Sequence, residues 1–329
     1  MPDQAIWLEK SGSGTEASFR ELDDVTADSA DGDVVVAVEW STLNYKDALA
    51  ITGSSPVVRK WPMIPGIDLA GTVESSGPGE FKTGQRVVLN GWGHGELSHG
   101  GLATRARVPA EHLLALPEPL STRDAMAIGT AGYTAALCVL ALERHGVEPA
   151  SGPVLVTGAG GGVGGFAVAL LARRGYEVTA STGRPAETAR LQRLGATAVI
   201  DRAELSEQGK PLQKERWAGV IDSLGSATLA NACAQTRYRG TVAACGLAQG
   251  MDFPASVAPF ILRGVTLAGI DSVMAPRAER EAAWALLASQ LDDAVITDMA
   301  TEIPLSGAID GARRLLDGQV AGRLLVRIQ

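Results

Sequence analysis

The stretch from Val154 to Gly165, Val-Leu-Val-Thr-Gly-Ala-Gly-Gly-Gly-Val-Gly-Gly, joins an apolar run to a helical pattern through crowded glycines. Its first residues are β-branched or leucine, and Pro153 marks the start of a strand. After the glycines, apolar residues recur at helical spacing as far as Gly175. The pattern therefore predicts a strand, a tight turn and a helix.

The glycines of this turn indicate a phosphate-binding loop. Glycine lets a backbone turn tightly and approach an anion closely, and the amino terminus of a helix offers free N–H groups and a positive dipole end. The spacing departs from the dinucleotide fingerprint, because Ala159 stands where the first glycine would be and only Gly161 and Gly164 hold the other places. The loop alone leaves open a glycine-rich turn without a ligand.

Length and composition indicate a globular protein of about two domains. The chain has 329 residues, of which 46% are hydrophobic and 20% charged, and its net charge of -8 argues against a nucleic-acid-binding surface. The three cysteines, Cys138, Cys233 and Cys245, are far apart in sequence and lie in apolar runs, so they are interpreted as packing residues in a reducing compartment.

A cytoplasmic location is predicted, because the amino terminus, Met-Pro-Asp-Gln, lacks the basic start and apolar core of a signal peptide. The uncharged stretch from Ala125 to Leu142 approaches membrane-spanning length. Its glycine and hydroxyl residues favour a buried helix over a membrane span.

The first part of the chain, to about Pro117, has the pattern of a mainly β domain, with short β-type runs separated by Gly, Pro and Asp. After the helical Ala125 to Glu143, strands and helices alternate, which predicts a doubly wound parallel sheet. The six strands expected in it are 154–157, 178–181, 198–201, 220–223, 241–245 and 265–270. A helix is predicted from Arg280 to Leu291, and a last strand, Arg323 to Ile328, is expected to return to the first domain.

Together the motifs resemble, across nearly the whole chain, the zinc-free, quinone-oxidoreductase-like division of the medium-chain dehydrogenase/reductase superfamily, and most closely its acrylyl-CoA reductase branch. The motifs that carry the resemblance are Leu43-Asn44-Tyr45-Lys46-Asp47-Ala48-Leu49, Pro65-Gly66-Ile67-Asp68, Gly129-Thr130-Ala131-Gly132, Ser181-Thr182-Gly183-Arg184, Ala244-Cys245-Gly246-Leu247 and Gly269-Ile270-Asp271-Ser272-Val273. Two departures are small: Gly160 and Thr182 stand where serine is common in the branch.

The resemblance implies an α/β protein in which a GroES-like β domain, residues 1–124 and 272–329, flanks a Rossmann domain of residues 125–271. It implies NADPH as cofactor, an acyl-CoA substrate and a homodimer. The expected cofactor-binding residues are Tyr45, Thr130, Gly160, Gly161, Gly162, Val163, Gly164, Ser181, Thr182, Gly183, Arg184, Leu247, Ile270, Ser272 and Arg323.

The end of the second Rossmann strand favours NADPH over NADH. An NAD site places a carboxylate there to bond the ribose hydroxyls, and this sequence has none. Its Ser181, Thr182 and Arg184 offer hydroxyls and a guanidinium instead, which suit the 2'-phosphate of NADPH. An exposed turn with an incidental arginine is the alternative.

A metal site is not expected, because the β domain supplies no cysteine and zinc needs several converging ligands. In the glycine-rich loop from Gly91 to Gly101, His94, Glu96 and His99 lack metal-ligand spacing and are interpreted as solvated loop residues. Asp68 is interpreted as a buried carboxylate that holds the Pro65 turn, at least as readily as a catalytic group.

Tyr45 and Asn44 are the catalytic candidates, since the resemblance puts their loop beside the nicotinamide. Adjacent side chains diverge, so one of them is expected to face the substrate while the other ties the loop down. Packing of both is the alternative. The resemblance implies NADPH-dependent reduction of acrylyl-CoA to propionyl-CoA; a quinone or enone reductase and a non-catalytic NADPH-binding protein are the other functions considered.

Overall fold

The computed structural model describes residues 2–12, 14–26, 32–77 and 79–329. The chain forms two compact units, one made of Met1–Thr130 with Ile296–Gln329 and the other of Ala131–Val295. Each unit has its own β-sheet and its own hydrophobic core.

Strands dominate the first unit, and strands alternate with helices in the second. Within the described residues the strands are, in chain order, β1 Asp3–Ser11, β2 Gly14–Leu22, β3 Val34–Leu43, β4 Asp68–Ser76, β5 Arg86–Asn90, β6 Arg105–Val108, β7 Leu114–Ala115, β8 Val154–Val156, β9 Val178–Thr182, β10 Ala198–Asp201, β11 Trp217–Asp222, β12 Thr236–Ala244, β13 Thr266–Gly269, β14 Ala300–Pro304 and β15 Arg323–Arg327. The α-helices are α1 Tyr45–Thr52, α2 Thr122–Arg144, α3 Gly162–Arg173, α4 Thr188–Arg193, α5 Ala203–Ser206, α6 Ser226–Gln235, α7 Ala258–Arg263, α8 Arg277–Gln290, α9 Asp293–Met299 and α10 Ala308–Leu316.

The first unit is built on a seven-stranded sheet in the order β14-β15-β3-β4-β5-β7, with β6 paired to β3. The carboxyl-terminal strand β15 pairs antiparallel with β3, Leu324 opposite Leu43. This pairing confirms that the last strand returns to the amino-terminal part of the chain. Alternate residues of the strands, such as Val36, Val38 and Leu69, face the core.

Two parts of the first unit do not follow from the sequence pattern. The hairpin of β1 and β2, with Asp3 opposite Leu22, carries few apolar residues in its second strand, so its alternation is weak. Helix α10 packs against α1 and was not expected. The buried residues of α10 are the small Ala308, Gly311 and Ala312. Such small side chains give a weak hydrophobic pattern in the sequence.

The second unit contains a six-stranded sheet in the order β10-β9-β8-β11-β12-β13, in which every pairing is parallel. This is the doubly wound Rossmann order, with β8 as the first strand and a reversal of strand order between β8 and β11. The strand, turn and helix predicted from Val154 onward are confirmed as β8 and α3. The largest boundary error is at β12, which begins at Thr236 rather than Thr241.

The second unit extends further toward the carboxyl terminus than the predicted Rossmann domain. Helix α8 packs against α3, and its buried face includes Ala283, Trp284 and Leu287. Residues 272–295 therefore belong to the second compact unit, because their apolar face is buried there. The division into a GroES-like domain of residues 1–124 with 272–329 and a Rossmann domain of residues 125–271 stays a prediction.

One described helix, α2, is long and apolar enough to cross a membrane, and 89% of its apolar window is buried inside the protein. The helix is kinked at Gly129, which has φ of 51°. Its burial agrees with the core helix predicted for Ala125 to Leu142, since a core helix and a membrane span share the same hydropathy.

Candidate functional site

The glycine-rich loop begins directly after β8. Its tight turn is made at Gly158, whose φ of 59° lies in the left-handed region that favours glycine. Ala159, which stands in the place of the first fingerprint glycine, is buried. Gly161 then caps α3. Ala159 thus holds the first fingerprint position, and Gly158, one residue earlier, makes the tight turn.

The amino terminus of α3 has the properties of an anion-binding site. A Cβ atom at Gly164 would collide with the carbonyl oxygen of Gly158, so the helix approaches the strand as closely as only glycine permits. The first α-helical bond runs from the Gly165 N–H to the Gly161 oxygen, 2.9 Å. The amides of Gly162, Val163 and Gly164 thus have no acceptor within the helix, and the first turn carries no carboxylate.

The structure brings Thr182 and Arg184 together with Gly160. The Nη2 atom of Arg184 donates to the Gly160 carbonyl oxygen at 3.0 Å, and the Arg184 N–H donates to Thr182 Oγ1 at 3.1 Å. A Cβ atom at Gly160 would lie 3.3 Å from both Arg184 Nη2 and Thr182 Oγ1. A hydroxyl and a guanidinium therefore adjoin the phosphate loop, as the sequence predicts.

Ser181 does not present its hydroxyl to this surface. Its side chain is buried in the sheet, and Oγ has no hydrogen-bond partner among the described residues. Successive residues of a strand face opposite sides, so Ser181 and Thr182 diverge. Ser181 supports the loop through its backbone instead, since its carbonyl accepts the Ala159 N–H at 3.1 Å. The contact of Ser181 with a cofactor stays a prediction.

Sequence reasoning missed Arg202, which follows β10. Its N–H donates to the Thr182 carbonyl at 3.1 Å, and a Cβ atom at Gly183 would collide with its Nε. Its side chain is exposed. The Rossmann strand order could have predicted this position, because the third strand of such a sheet ends beside the second. We infer that Gly183 is needed there to leave room for a second guanidinium.

Three more predicted cofactor-binding residues follow β12 and β13. Leu247 lies in the loop after β12 and is 55% exposed. The Ile270 N–H donates to the Ala244 carbonyl at 2.9 Å, which fixes the end of β13 to that of β12, and Ser272 is half-buried. All lie at the carboxyl edge of the parallel sheet, where ligands of such sheets bind. Their contact with a cofactor stays a prediction.

In the first unit, Asp68 is fully buried and accepts four hydrogen bonds. The donors are Asn44 Nδ2 at 2.8 Å, Asn90 Nδ2 at 2.7 Å, and the N–H and Oγ1 of Thr130 at 2.7 and 2.5 Å. Its carboxylate is thus saturated, which supports a structural role. The Pro65 turn is held by Asp47 rather than Asp68, since Asp47 Oδ1 accepts the Ile67 N–H at 2.9 Å.

Arg323 completes this buried network. It donates from Nη1 to Asn44 Oδ1 at 2.9 Å and from Nη2 to Thr42 Oγ1 at 2.8 Å, and Nη2 lies 3.8 Å from Asp68 Oδ2. Burial lowers the pKa of Arg323, and the nearby carboxylates oppose this. The side chains of Arg323 and Thr130 are engaged inside the unit. We infer that these two predicted cofactor-binding residues act through the network rather than by direct side-chain contact.

The adjacent candidates Asn44 and Tyr45 have different surroundings. Asn44 is buried, its amide lies between Asp68 and Arg323, and it caps α1. Tyr45 is the first residue of α1 and is 52% exposed, and its hydroxyl has no hydrogen-bond partner among the described residues. Asn44 therefore ties the loop down, which argues against its predicted catalytic role, and Tyr45 is the residue with an available donor.

Asp47, in the first turn of α1, fixes the start of that helix. Its carboxylate accepts the N–H groups of Asn44 and Ile67, at 2.8 and 2.9 Å. Burial, with a smaller contribution from the negative charge of Asp68, raises the pKa of Asp47 to about 6. The carboxyl group thus binds a proton more tightly in the folded than in the unfolded chain.

We expect the contribution of Asp47 to stability to fall as the pH rises from about 4 to about 6, by at most about 1.4 kcal/mol per pH unit. The folded state holds more protons than the unfolded state in this window, so the free energy of unfolding decreases with pH. Urea unfolding across the window measures the slope. Asp47→Asn should flatten it, and an unchanged slope in Asp47→Asn would contradict the assignment.

The glycine-rich loop 91–101 is packed more tightly than expected. His94 is buried, and its Nε2 lies 3.1 Å from Nδ1 of His112. Burial lowers the pKa of His94 to about 4. Glu96 pairs with Lys46 at 2.9 Å, and His99 Nδ1 accepts the Ile64 N–H at 3.1 Å. The interpretation of His94 as solvated is therefore wrong, because His94 is buried and contacts His112, which lies outside this loop.

These side chains do not converge on a common point. No group of three or more His, Cys, Asp or Glu with metal-binding geometry occurs within residues 2–12, 14–26, 32–77 and 79–329. Independence from zinc stays a prediction.

Comparison with known families agrees with this architecture. The family model of the alcohol dehydrogenase GroES-like domain matches residues 30–118, and that of the zinc-binding dehydrogenases matches residues 162–289. The chain belongs to the medium-chain dehydrogenase/reductase family, in its quinone-oxidoreductase-like division. The predicted family and the predicted pair of folds, GroES-like and Rossmann, are confirmed.

Similar proteins match over nearly their whole length. Acrylyl-CoA reductase AcuI of Ruegeria pomeroyi is 50% identical, with 97% of this chain and 96% of that protein covered. The quinone oxidoreductase-like protein YhfP of Bacillus subtilis is 41% identical, with 99% and 98% covered. The crystal structure of the yhdH oxidoreductase from Salmonella enterica in complex with NADP is 51% identical and superimposes with a TM-score of 0.96, over 99% of this chain and 100% of that one.

Proposed function

We propose that the protein is an NADPH-dependent reductase that converts the carbon–carbon double bond of acrylyl-CoA to the single bond of propionyl-CoA. The observation that carries the proposal is the contact between the phosphate loop and the end of β9. There Thr182 and Arg184 lie beside Gly160. The likeness to AcuI of Ruegeria pomeroyi, an acrylyl-CoA reductase, and to an oxidoreductase structure that contains NADP supports it.

The residues of the second unit fit a dinucleotide phosphate. Amides of Gly162, Val163 and Gly164 face outward from the start of α3, and a pyrophosphate matches their positive partial charge. Thr182, Arg184 and the exposed Arg202 offer donors for a further phosphate dianion. When bound, NADPH supplies the hydride that adds to the β-carbon of the thioester.

Reduction of an unsaturated thioester moves negative charge onto its carbonyl oxygen. A donor aimed at that position stabilises the charge as it develops, and a proton must also reach the α-carbon. The Tyr45 hydroxyl is exposed and without an internal partner, so we assign it one of these two roles. Asn44 and Asp68 hold the start of α1 and thereby position Tyr45.

Turnover with acrylyl-CoA, crotonyl-CoA and a quinone, measured side by side, tests the proposed function. We expect acrylyl-CoA to give the highest kcat/KM. Stopped-flow oxidation of bound NADPH by acrylyl-CoA separates an enzyme from a protein that only binds the cofactor. Binding of NADPH without its oxidation by any of the acceptors would contradict an enzymatic function.

A quinone or simple enone reductase is the second candidate. The observation that favours it is the 41% identity to YhfP of Bacillus subtilis, a quinone oxidoreductase-like protein. The scaffold and cofactor chemistry would be the same, and only the acceptor would differ. Higher kcat/KM with the quinone than with both thioesters would establish this function instead.

We expect Arg184→Ala to weaken NADPH binding by about 1.5 to 3 kcal/mol, because a charge-assisted bond to the 2'-phosphate is lost. NADH binding should change little. Titration of protein fluorescence with each cofactor measures both. Arg202→Ala should have the same selective effect, and Arg173→Ala, at the far end of α3, serves as a control. Equal weakening of NADPH and NADH binding would refute the assignment.

We propose a homodimer formed through β13. This strand is the edge of the six-stranded sheet, and the helix α7 before it exposes Ile261 and Leu262, which are 73% and 64% exposed. An unpaired edge flanked by apolar side chains favours pairing with its twin about a twofold axis. Sedimentation should give a dimer at micromolar concentration. Ile261→Asp should shift it to monomer, and a wild-type monomer would overturn the proposal.

We also propose that the protein acts in the cytoplasm on a small acyl-CoA. A reducing compartment suits its three free cysteines. The net charge of -8 disfavours nucleic acid and anionic membrane surfaces as partners.

A further inference from the structure

A buried carboxylate lies where the strand order of the six-stranded sheet reverses. Asp222 is the last residue of β11, which pairs with β8, and it is fully buried. Its Oδ1 accepts the Thr157 hydroxyl at 2.7 Å, and its Oδ2 accepts the Gly225 N–H at 2.8 Å. Ligands of doubly wound sheets bind in the crevice at such a reversal. The carboxylate therefore lies beneath the expected cofactor site.

Thr157 connects this carboxylate to the phosphate loop. It follows β8 directly and precedes Gly158, which makes the tight turn. The Thr157 hydroxyl also accepts the Ser223 N–H at 3.2 Å, and the Ser223 hydroxyl donates to the Thr157 carbonyl oxygen at 3.2 Å. A Cβ atom at Gly158 would lie 2.4 Å from Ser223 Oγ. The start of the phosphate loop is thus held against the end of β11 by hydrogen bonds and close packing.

The end of β11 also fixes the loop that follows β12. The Asp222 carbonyl accepts the Cys245 N–H at 2.9 Å, and the Leu224 carbonyl accepts the Gln249 N–H at 2.8 Å. Leu247, a predicted cofactor-binding residue, lies between these two contacts in the chain. Residues 222–224 therefore support two of the loops in which cofactor contacts are predicted.

A carboxylate is a costly residue at this position. Burial raises the pKa of Asp222, and the hydrogen bonds from Thr157 and Gly225 oppose this effect. Within the described part of the chain, Asp222 forms no salt bridge. A neutral side chain would fill the site with a smaller desolvation penalty. The advantage of the carboxylate is that its two oxygens accept donors from two different loops at the same time.

We propose that Asp222 and Thr157 are positioning residues for the dinucleotide, because together they fix the turn at Gly158 from which the phosphate loop runs to α3. Both side chains are fully buried and bond to each other, so they act through the loop rather than by contact with the cofactor. A hydrogen bond weakens steeply when its donor is misaligned, so a shifted turn impairs each loop amide that faces the anion. The inference rests on the proposed function in taking these amides as the pyrophosphate site.

The expected effect on cofactor binding differs from that of Arg184→Ala. The pyrophosphate is common to NADPH and NADH, so a misplaced loop weakens the binding of both. Thr157→Val replaces the hydroxyl with a methyl group of similar size. We expect it to raise both Kd values about tenfold, as loss of one hydrogen bond at the site would. Thr157→Ser keeps the hydroxyl and should restore the affinity for both cofactors.

The experiment combines fluorescence titration of the full chain with each cofactor and amide hydrogen exchange of the cofactor-free chain. In Thr157→Val we expect faster exchange in residues 158–164, and in Thr157→Ser we expect wild-type exchange. Asp222→Asn, which replaces one acceptor oxygen with a donor, should reproduce the effects of Thr157→Val. Thr236→Val is the matched control. Thr236 is fully buried, its hydroxyl donates to the Ala232 carbonyl at 2.8 Å, and it begins β12 at the opposite edge of the sheet.

Urea unfolding should show similar losses of stability in Thr157→Val and Thr236→Val, with raised Kd values only in the first. Unchanged Kd values in Thr157→Val, equal increases in Thr236→Val, or weakened binding of NADPH alone would overturn the proposal. Failure of Thr157→Ser to restore affinity would also contradict it. A wild-type protein that binds NADPH without reducing any acceptor would contradict the proposed function and leave the positioning role intact.

Discussion

Tyr45→Phe is expected to lower the turnover of acrylyl-CoA by roughly a hundredfold to nearly a thousandfold. The substitution keeps the ring and removes the hydroxyl, whose loss is equivalent to deletion of an oxyanion-hole donor at about 2.7 to 4 kcal/mol. The Tyr45 hydroxyl has no structural contact to lose, since the side chain is 52% exposed and has no hydrogen-bond partner among the described residues. Steady-state kcat with saturating NADPH measures the effect.

The affinity for NADPH should change far less in this variant, because the phosphate loop and Arg184 are untouched. Tyr238→Phe is the matched control, since Tyr238 is 65% exposed and lies at the opposite, amino-terminal end of β12. A deuterium isotope effect from labelled NADPH shows whether hydride transfer limits the rate. Near-normal turnover of Tyr45→Phe with that step limiting would reduce Tyr45 to a packing role and assign the donor to a cofactor hydroxyl or water.

Asp68→Asn is expected to lower the free energy of unfolding by about 3 to 5 kcal/mol, the cost of breaking a buried charge pair by removing one partner. The new amide brings N–H donors against the donors of Asn44, Asn90 and Thr130, which all point at this side chain. It also removes the carboxylate that lies 3.8 Å from the buried Arg323. Equilibrium unfolding in urea, with an unchanged m-value, measures the loss.

Asp292→Asn is the control for this substitution. Asp292 pairs with Arg173 at 2.6 Å, but the side chain of Asp292 is 55% exposed, so water replaces the lost contact and the expected change is below about 1 kcal/mol. Similar losses in the two variants would show that burial does not strengthen the Asp68 network. A stable Asp68→Asn protein would also contradict the assignment of Asn44 and Arg323 as residues that position the start of α1.

The alternation of strand-like and helix-like segments along the sequence determined the fold class and most of its elements. Apolar runs of strand length that alternate with helical segments favour a parallel doubly wound sheet, because parallel neighbours need a crossover between them. Local chemistry also determined the strand, turn and helix at Val154 to Gly165, since tight turns and close approach require glycine. The absence of a carboxylate after the second strand is likewise readable from sequence, and it directs the prediction to NADPH.

Only the tertiary structure decided which candidate residues are available for chemistry. Asn44 and Tyr45 are neighbours in sequence, yet the first is enclosed by Asp68 and Arg323 and the second faces outward. Arg184 and Arg202 are separated in sequence, yet they follow the adjoining ends of β9 and β10, where Thr182 pairs with Asp201. The local sequence pattern predicts whether a segment forms a strand or a helix. Burial, saturated hydrogen bonding and contacts between distant residues arise from long-range packing, which no short stretch of sequence encodes.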